Sequence, residues 1–483
     1  GVARIQNHHT LLDYHNPAGG IDHYNIEDKI KTTFIMRLVA LGAGEGGVGA
    51  AVLAKKEGYD VFVSDAGTIS EKYRTLLTQH DIPFEDGGHT ENLVLNADEI
   101  VKSPGIPEDA PMVKAVREKG IPVISEIEFA ARYTNAKMIC ITGSNGKTTT
   151  TSWIFHIMKK AGTDVGLAGN IGRSLALQVA EDPHACYVIE LSSFQLDDMF
   201  DFRANIAVLL NSTPDHLDRY NFELQNYVDS KMRITRNQRP SDSFIYWQND
   251  DHVPEELHHH PICGTLLPFS DAPENGSKGF IQDGVMRLSA PAEFEMPVAD
   301  ISLIGRHNLR NAMAAAMACL AAGVPASILR EGLADFPGVP HRLEKVCTVG
   351  GALFINDSKA TNVDACRVAL EAVAAPVILI LGGKDKGNDY SAIMDLVKEK
   401  CKALVFLGAD NSKLQAVFKD CGLPICDTDS ISRCVFACCA LSHPGDTVLL
   451  SPCCASFDLF NGMAERGNLF KEWAHRMKQI VDA

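Results

Sequence analysis

The residues best suited to chemistry lie in the segment Thr142-Gly-Ser-Asn-Gly-Lys-Thr-Thr149, which follows a β-type apolar run. Glycine-rich turns between a strand and a helix bind phosphate oxygens through their backbone N–H groups. Lys147 adds a positive charge, and the hydroxyl of Thr148 can hold a nucleotide-bound magnesium. The segment is shorter than the standard phosphate loop, because an isoleucine stands where that pattern has its first glycine. We predict an ATP site here, followed by a helix that begins at Thr150 or Thr151.

Two later β-type runs also end in polar residues that suit this site. One run ends at Glu190, and the other leads into a polar segment that contains His216. Because the carboxyl ends of parallel strands lie at one edge of a sheet, both side chains are expected to face the nucleotide phosphates. Glu190 offers magnesium a hard oxygen, and His216 offers it a less typical nitrogen. The sequence therefore predicts a magnesium site beside the phosphate loop.

Several further positions are ambiguous from sequence. Lys231 lies on a predicted helix and has the pattern of a solvated lysine. Asn308 and Asn311 lie three residues apart at the start of another predicted helix and share one face. They can bind adenine or cap the helix, and the cap is favoured. Residues 250–300 are predicted to form loops and short strands, and no chemistry is assigned to them.

A second glycine-rich turn, Gly42-Ala-Gly-Glu-Gly-Gly-Val-Gly49, follows a short apolar strand. Asp65 ends the next predicted strand, 23 residues after Gly42. This is the Rossmann fingerprint, in which glycines form the tight turn, a helix N-terminus faces a pyrophosphate and an acid contacts a ribose. It fits a nicotinamide enzyme as well as any other nucleotide binder. Gly105 follows the next strand and allows a ligand to approach the backbone closely.

Polar residues also follow the predicted strands in the last third of the chain. Lys359 follows the strand at 353–355 and Lys386 follows the strand at 377–381. Each lysine can hold a carboxylate or a developing anion at the edge of a parallel sheet. Arg342 follows the linker Phe-Pro-Gly-Val-Pro-His and can reach a γ-phosphate.

Composition excludes several classes of protein. The chain has 483 residues, of which 46% are hydrophobic, so it is not a disordered chain. A net charge of −16 argues against a nucleic-acid or acidic-membrane surface. Of the 14 cysteines, ten follow residue 340 and none forms a Cys-x-x-Cys motif, which favours reduced cysteines in a cytoplasmic protein. No apolar run approaches the roughly 20 residues that span a bilayer.

The alternation of strands and helices predicts an α/β protein with three domains. They are a Rossmann-like N-terminal domain at 36–132, a P-loop-type central ATPase domain at 133–339 and a Rossmann-like C-terminal domain at 340–483. Residues 1–35 have no clear period, and the compact pattern starts at Met36. We expect Met36 to be the native start and the preceding residues to be a disordered or non-native extension.

Four segments together resemble the Mur ligases of peptidoglycan synthesis. They are Thr-Gly-Ser-Asn-Gly-Lys-Thr-Thr, Glu-Leu-Ser-Ser-Phe-Gln-Leu, Pro-His-Arg-Leu-Glu and Asn-Asp-Ser-Lys-Ala-Thr-Asn. The resemblance covers Met36 to the C-terminus and favours the members that add D-glutamate. It implies that ATP phosphorylates the carboxylate of UDP-N-acetylmuramoyl-L-alanine and that the amine of D-glutamate then displaces phosphate. It also implies that Lys231 is carbamylated and ligates a second magnesium.

The resemblance implies a role for each candidate residue. The implied catalytic residues are Lys147, His216, Lys231 and Lys359. The implied ATP contacts are Gly143, Ser144, Asn145, Gly146, Lys147, Thr148, Thr149, Asn308, Asn311, Arg342 and Asp357. The implied contacts with the UDP substrate are Gly42, Gly44, Gly47, Asp65, Gly105 and Asn170. The implied D-glutamate contacts are Lys359, Thr361, Lys386 and Ser456. The implied magnesium ligands are Thr148, Glu190, His216 and Lys231 as its carbamate. A monomer without nucleic-acid or membrane partners is expected.

The sequence departs from the family pattern at a few positions. Ala66 and Gly67 stand where a hydroxyl and a basic residue are frequent, and Glu45 stands where Thr or Ser is common. Met463 stands where an aromatic residue is frequent near D-glutamate. Three other functions stay open: a sister amino-acid ligase or folylpolyglutamate synthase, a nicotinamide oxidoreductase, and a non-catalytic nucleotide-binding regulator.

Overall fold

The computed structural model describes residues 35–215, 217–259, 261–303, 305–385 and 387–482. The predicted N-terminal extension lies outside these ranges except for its last residue, and so do His216 and Lys386. The described chain divides into two compact units. The first unit comprises 35–134, Arg173–Pro183 and Asp198–Phe200, and the second comprises the remainder.

The first unit is built on a five-stranded parallel sheet of order β3-β2-β1-β4-β5. Its strands are β1 (Arg37–Leu41), β2 (Asp60–Ser64), β3 (Phe84–Glu85), β4 (Glu99–Lys102) and β5 (Val123–Ile124). The first five helices are α1 (Glu45–Lys56), α2 (Glu71–Gln79), α3 (Glu91–Val94), α4 (Pro111–Glu118) and α5 (Glu126–Ala131). The central strand β1 is covered on both faces, which explains its unbroken apolar sequence.

Glu126, in the first turn of α5, is a buried carboxylate of the first unit. Burial raises the pKa of Glu126 to about 7, and the charge of Glu45 also raises it. Hydrogen bonds from the hydroxyl of Ser174 at 2.7 Å and the backbone N–H of Ala176 at 2.6 Å oppose this shift. Because an unfolded glutamate has a pKa of about 4.3, the folded chain holds this proton more tightly than the unfolded chain.

Folding stability is therefore expected to fall as the pH rises from about 4 to about 7, because ionised Glu126 is disfavoured only in the folded state. Glu126→Gln keeps an oxygen for both donors and cannot ionise, so it is expected to gain about 3 kcal/mol at pH 8 and about 1 kcal/mol at pH 5. Urea unfolding at the two pH values measures the difference. Glu128→Gln, at another buried glutamate of α5, is the control. An equal pH response of the two variants would contradict the prediction.

The second unit contains a nine-stranded sheet of order β14-β13-β12-β11-β10-β9-β6-β8-β7. Its strands are β6 (Lys137–Thr142), β7 (Val165–Gly169), β8 (Cys186–Glu190), β9 (Ile206–Leu209), β10 (Ser243–Trp247), β11 (Thr265–Phe269), β12 (Gly279–Gln282), β13 (Val285–Leu288) and β14 (Phe294–Pro297). In chain order, the helices among these strands are α6 (Lys147–Lys160), α7 (Leu175–Glu181, which belongs to the first unit), α8 (Ser193–Asp197), α9 (Leu224–Met232), α10 (Val253–His259), α11 (Arg306–Ala322) and α12 (Ala326–Asp335). Strands β6 to β11 pair in parallel, so their carboxyl ends share one edge.

Helix α6 is fixed by packing against α11 and α12. The indole N–H of Trp153, on α6, donates to the backbone oxygen of Gly332 at 3.0 Å, and its ring stacks on Phe336 at a centroid distance of 5.0 Å. Helix α11 buries a run of small and apolar residues at 312–319, which lets it lie close to the sheet. These contacts hold the N-terminus of α6, where the phosphate loop ends.

A six-stranded sheet of order β15-β16-β20-β17-β18-β19 completes the second unit. Its strands are β15 (Glu344–Val349), β16 (Ala352–Asn356), β17 (Val377–Gly382), β18 (Cys401–Leu407), β19 (Ile425–Thr428) and β20 (Thr447–Cys453). Its helices are α13 (Val363–Ala372), α14 (Ser391–Lys400), α15 (Ser412–Phe418), α16 (Ile431–Leu441) and α17 (Met463–Val481). Only β15 pairs antiparallel within this sheet.

The predicted α/β class is confirmed, but two local predictions are wrong. Helix α6 begins at Lys147 and not at Thr150 or Thr151, because the left-handed Gly146 (φ 85) precedes the first helical turn directly. Residues 250–300 contain the predicted short strands but also helix α10. The fourteen cysteines form no disulfide, and nine of them are buried. Across the described ranges, none of the helices combines the length and apolar composition that a membrane span needs.

Candidate active site

The phosphate loop connects β6 to α6. Gly143 (φ 148) and Gly146 (φ 85) adopt backbone conformations that side chains disfavour. The amine of Lys147 donates to the backbone oxygens of Gly143 at 2.7 Å and Ser144 at 3.0 Å. Thr148 and Thr149 lie in the first turn of α6, where the helix N-terminus attracts anions. The loop thus presents the predicted phosphate-binding groups together.

Residues 211–213, which we call the clamp loop, hold the phosphate loop from the end of β9. The backbone oxygen of Asn211 accepts from the N–H of Ser144 at 3.0 Å. The side chain of Asn211 exchanges hydrogen bonds of 2.8 and 3.0 Å with the backbone of Asn145. The backbone oxygen of Thr213 accepts from the hydroxyl of Ser144 at 2.6 Å. The conformation of the phosphate loop is therefore set partly by the neighbouring strand end.

Asn308 and Asn311 lie beside the phosphate loop and do not cap α11. The N-cap residue is Gly305, without a side-chain capping bond, and the helix begins at Arg306. The cap interpretation is therefore wrong. Both asparagines are buried, and Nδ2 of Asn311 donates to Oδ1 of Asn308 at 3.3 Å. A Cβ atom added at Gly146 would lie 2.4 Å from Oδ1 of Asn311.

Gly146→Ala is consequently expected to weaken nucleotide binding by about tenfold or more, because the new methyl displaces Asn311 and strains the loop. Gly58→Ala is the matched control, since Gly58 has a similar φ of 87 with no atom within 4 Å of its Cβ position. Both variants carry the strain of a left-handed alanine, about 1–2 kcal/mol in urea unfolding. Calorimetric titration with a non-hydrolysable ATP analogue separates the two effects. Equal nucleotide affinities of the two variants would contradict the prediction.

Glu190 ends β8 at the same sheet edge as the phosphate loop and is 1% exposed. Its Oε1 accepts from Nδ2 of Asn170 at 3.0 Å. Its Oε2 is buried and has no hydrogen-bond partner among the described residues. Because an unpaired buried carboxylate oxygen is costly, this atom is suited to a cation. Asn170, predicted to contact the UDP substrate, thus orients Glu190 in the second unit.

Lys231, on α9, is 1% exposed, so the interpretation as a solvated lysine is wrong. Its amine lies 4.2 Å from the ring centroid of Tyr227. Burial holds the pKa of Lys231 well below its usual range, and the charge of Lys147 lowers it further. Nearby aspartates, Asp215 first among them, oppose this shift. The amine is therefore favoured in its neutral, nucleophilic form.

Lys147 shares this electrostatic environment. Burial lowers the pKa of Lys147, and the positive charge of Arg342 acts in the same direction. The negative charges of Glu190 and Asp215 oppose both effects. The next residue after Asp215 is the predicted ligand His216, which lies outside the described residues. The structure thus brings Lys147, Glu190 and Lys231 into one cluster of interacting charges.

Arg342 and Asp357 lie in adjoining segments of the second unit. The neighbours of Arg342, His341 (φ 64) and Leu343 (φ 43), have left-handed backbones, and Nε of Arg342 is buried without a partner among the described residues. Burial raises the pKa of Asp357 to about 7. Hydrogen bonds from Ser451 at 2.9 Å and from the N–H of Leu343 at 3.1 Å oppose this shift. Asp357 therefore anchors the turn that presents Arg342.

Lys359 follows β16, and its backbone N–H donates to the oxygen of His341 at 3.0 Å. Burial lowers the pKa of Lys359, the charge of Arg342 lowers it further, and the charge of Glu190 opposes them. Lys359 and Arg342 therefore interact electrostatically with the cluster around the phosphate loop. This arrangement places cationic groups where an anionic phosphate would need them.

The other predicted D-glutamate contacts occupy strand ends of the six-stranded sheet. Ser456 follows β20 and is buried, and Thr361 precedes α13 and is exposed. Lys386 lies outside the described residues, but its neighbour Asp385 accepts from the hydroxyl of Tyr390 at 2.6 Å. Although burial favours the protonated acid, such hydrogen bonds hold the pKa of Asp385 at about 2.

The glycine turn of the first unit is closely packed. A Cβ atom at Gly42 would lie 2.5 Å from Oγ of Ser103, and one at Gly47 would lie 1.9 Å from the backbone oxygen of Gly42. Gly44 is the N-cap residue of α1. Because Gly44 is exposed, the N-terminus of α1 is open to solvent at a sheet edge, as a phosphate site requires.

Asp65 ties this turn to the end of β2. One carboxylate oxygen accepts from the N–H of Ala43 at 2.6 Å, and the other accepts from the N–H of Gly67 at 2.8 Å. Gly105 is exposed with open space around its Cβ position. Close packing within the protein therefore does not require glycine at this position.

Family models match three parts of the chain: MurD N-terminal domain at 38–112, Mur ligase middle domain at 141–319, and Mur ligase, glutamate ligase domain, at 341–454. A UDP-N-acetylmuramoylalanine--D-glutamate ligase of Bacteroides thetaiotaomicron is 56% identical over 442 residues, which cover 91% of this chain and 100% of the relative. The chain belongs to the Mur ligase family. The predicted resemblance is thereby confirmed.

Other relatives of this Mur ligase agree with that membership. A protein of the same description from Porphyromonas gingivalis is 53% identical over 440 residues, covering 90% of this chain and 97% of the relative. The solved structure of a UDP-N-acetylmuramate-alanine ligase from Thermotoga maritima has a TM-score of 0.57 at 17% identity and covers 92% of this chain and 100% of that chain. The latter likeness concerns the fold alone, and it supports the predicted three-domain α/β architecture.

The sequence analysis does not predict the roles of several residues of this Mur ligase. Asn211 is a polar residue after a predicted strand, but nothing in the sequence indicates that its side chain hydrogen-bonds the phosphate loop. Ser103, against Gly42, depends on a tertiary contact. Tyr227 lies four residues before Lys231 on α9, so this helical spacing was the available signal for its contact with the amine. Asp250 follows β10 at the same sheet edge as the clamp loop. Its position directly after a strand is the only feature of the sequence that could have indicated a role at the site.

Proposed function

We propose that this Mur ligase joins D-glutamate to UDP-N-acetylmuramoyl-L-alanine, with conversion of ATP to ADP and phosphate. The observation that carries the reaction class is Oε2 of Glu190, which is buried without a hydrogen-bond partner among the described residues and lies in a charge cluster with Lys147 and Lys231. The identity of the amino acid is supported by relatives that are described as D-glutamate ligases and are covered over almost their whole length.

The proposed reaction has two steps. A carboxylate oxygen of the UDP substrate attacks the γ-phosphorus of ATP, the bond to the bridging oxygen breaks, and an acyl phosphate and ADP form. The neutral amine of D-glutamate then attacks the acyl carbon, the carbon–oxygen bond breaks, and phosphate leaves as the amine loses its proton. Positioning and charge neutralisation, and not a covalent protein nucleophile, are the requirements of such phosphoryl transfer.

The phosphate loop positions ATP and neutralises part of its charge. Its backbone N–H groups and the N-terminus of α6 hold the phosphates of ATP, and Lys147 neutralises their charge. Arg342, whose buried Nε has no partner in the part of the chain that the structure describes, supplies a second cation for the transferred phosphoryl group. The proposed ATP contacts are Gly143, Ser144, Asn145, Gly146, Lys147, Thr148, Thr149, Asn308, Asn311, Arg342 and Asp357.

Magnesium fits the donors at this site. Oε2 of Glu190, which has no hydrogen-bond partner in the described ranges, is the ligand type that magnesium prefers, and Thr148 adds a hydroxyl. A carbamate on Lys231 would add a further carboxylate-like oxygen ligand, and its formation needs the neutral amine that burial favours. The proposed ligands are Thr148, Glu190, His216 and carbamylated Lys231. Magnesium, when bound, neutralises negative charge on the phosphates and on the acceptor carboxylate.

The remaining proposed contacts with the substrates lie mostly after strands, at the carboxyl ends of the sheets. Proposed contacts with D-glutamate are Lys359, Thr361, Lys386 and Ser456. Proposed contacts with the UDP substrate are Gly42, Gly44, Gly47, Asp65, Gly105 and Asn170. The domain boundaries at 36–132, 133–339 and 340–483 are also proposed, and one sheet within each range supports them. A cytoplasmic location is proposed because ATP and a UDP-linked sugar are cytoplasmic metabolites. The monomeric state stays a prediction.

Phosphate release tests the proposed function. The full chain is incubated with ATP, Mg²⁺ and UDP-N-acetylmuramoyl-L-alanine, and release is measured with a panel of single amino acids. We expect release with D-glutamate and a background rate with L-glutamate, L-alanine, L-lysine and diaminopimelate. Release with any of these but not with D-glutamate would overturn the assignment in favour of a sister ligase. ATP binding without amino-acid-dependent release would favour the nucleotide-binding regulator.

A further inference from the structure

Asp250, which follows β10, is a buried carboxylate that accepts four hydrogen bonds. It is 7% exposed. Its Oδ2 accepts from the backbone N–H of Ser212 at 2.8 Å, and its Oδ1 accepts from the hydroxyl of Ser212 at 2.5 Å. Oδ1 also accepts from the backbone N–H groups of His252 and Val253, each at 3.0 Å. A buried charge with this many donors holds its surroundings in one arrangement.

The bonds to Ser212 reach the clamp loop. Ser212 is fully buried and lies between Asn211 and Thr213, the two residues that hydrogen-bond the phosphate loop. Asp250 therefore fixes the middle residue of the clamp loop through both its backbone and its side chain. A shift of Ser212 would move both contacts with the phosphate loop at once.

The bonds to His252 and Val253 reach a second part of the site. They fix the backbone at the start of α10. Glu256, on α10, accepts from Nε2 of Gln225 on α9 at 2.7 Å. Helix α9 carries the buried Lys231. One carboxylate thus braces both the clamp loop and the helix that supports α9.

We propose that Asp250 is a positioning residue of the nucleotide site, which holds the clamp loop and the start of α10 in the arrangement that ATP binding requires. This inference rests on the proposed function, because ATP is the ligand that the arrangement serves. Asparagine at this position keeps one acceptor oxygen but turns an NH₂ group toward another donor. The clamp loop or the start of α10 then loses at least one of its hydrogen bonds to this side chain.

The experiment compares Asp250→Asn with Asp251→Asn, which removes the same charge at the next, exposed position. Binding of a non-hydrolysable ATP analogue with Mg²⁺ is measured by calorimetry on the full chain. The KM values for D-glutamate and the UDP substrate and the melting temperature are measured in parallel. We expect Asp250→Asn to weaken nucleotide binding by about tenfold or more and to change the other KM values by less than about twofold. Asp251→Asn is expected to leave all of them within about twofold.

Two results would overturn the proposal. One is nucleotide binding by Asp250→Asn within about twofold of the unchanged chain. The other is a parallel loss of affinity for all three substrates with a large fall in melting temperature, which describes a general structural role. If Asp250→Asn does not fold, Ser212→Ala, which removes a single donor, decides the question with an expected weakening of about threefold or more. Nucleotide binding needs no turnover, so failure to ligate D-glutamate would reject the proposed function without affecting this comparison.

Discussion

Replacing Lys231 by alanine is expected to lower kcat by about a hundredfold to a thousandfold and to change the Kd of ATP far less. The amine is buried, and its lowered pKa favours the neutral form that reacts with CO₂. The proposed carbamate would supply an oxygen ligand to magnesium near the reacting phosphate. Alanine would remove that ligand and leave the proposed ATP-binding loop in place.

Two measurements identify the carbamate behind this loss. Carbon NMR in [¹³C]bicarbonate is expected to show a carbamate signal in the unchanged chain and none in Lys231→Ala. Activity is also expected to fall toward acidic pH, because a protonated amine cannot bind CO₂. Lys419→Ala, at an exposed lysine, is the control and should keep both the signal and the activity. Full turnover by Lys231→Ala would show that the carbamate has no role.

Glu190→Gln is expected to lower kcat by about a thousandfold and to raise the magnesium concentration for half-maximal activity by about tenfold. Glutamine keeps an oxygen for the hydrogen bond from Asn170, so the local fold is preserved. At the position of Oε2, however, it places an NH₂ group, which cannot ligate a metal. The effect is therefore specific to the proposed magnesium ligand.

A magnesium titration of steady-state activity checks this prediction. Glu399→Gln, at an exposed glutamate, is the control for loss of one negative charge. If Glu190→Gln keeps the magnesium dependence and a near-normal kcat, Glu190 is not a magnesium ligand and the prediction is contradicted.

The phosphate loop and Glu190 were predictable because local pattern fixes them. A strand that ends at a glycine and is followed by a lysine and hydroxyl residues at the start of a helix is typical of a phosphate-binding loop. Glu190 was predictable because parallel strands end at one edge, so polar residues after those strands must meet. Neither inference required knowledge of the packing between helices.

Lys231 shows where such reasoning stops. A lysine on a polar helix usually faces water, and only the packing of α9 within the second unit buries Lys231. Tyr227, four residues earlier on the same helix, lies against its amine. Asp250 was missed for a related reason, since its importance lies in partners that are distant in sequence. For Asn308 and Asn311 the sequence favours a helix cap over adenine binding, but Gly305 is the N-cap residue, and Asn311 lies against the phosphate loop at Gly146.

The fate of oxygen from the substrate carboxylate tests the central claim most directly. UDP-N-acetylmuramoyl-L-alanine labelled with ¹⁸O in that carboxylate is incubated with ATP, Mg²⁺ and D-glutamate, and the released phosphate is analysed by mass spectrometry. Ligation through an acyl phosphate predicts that one ¹⁸O atom appears in each phosphate, only when D-glutamate is present. Unlabelled phosphate, with the displaced ¹⁸O lost to water during ligation or with both labels retained in unligated substrate, would contradict the account.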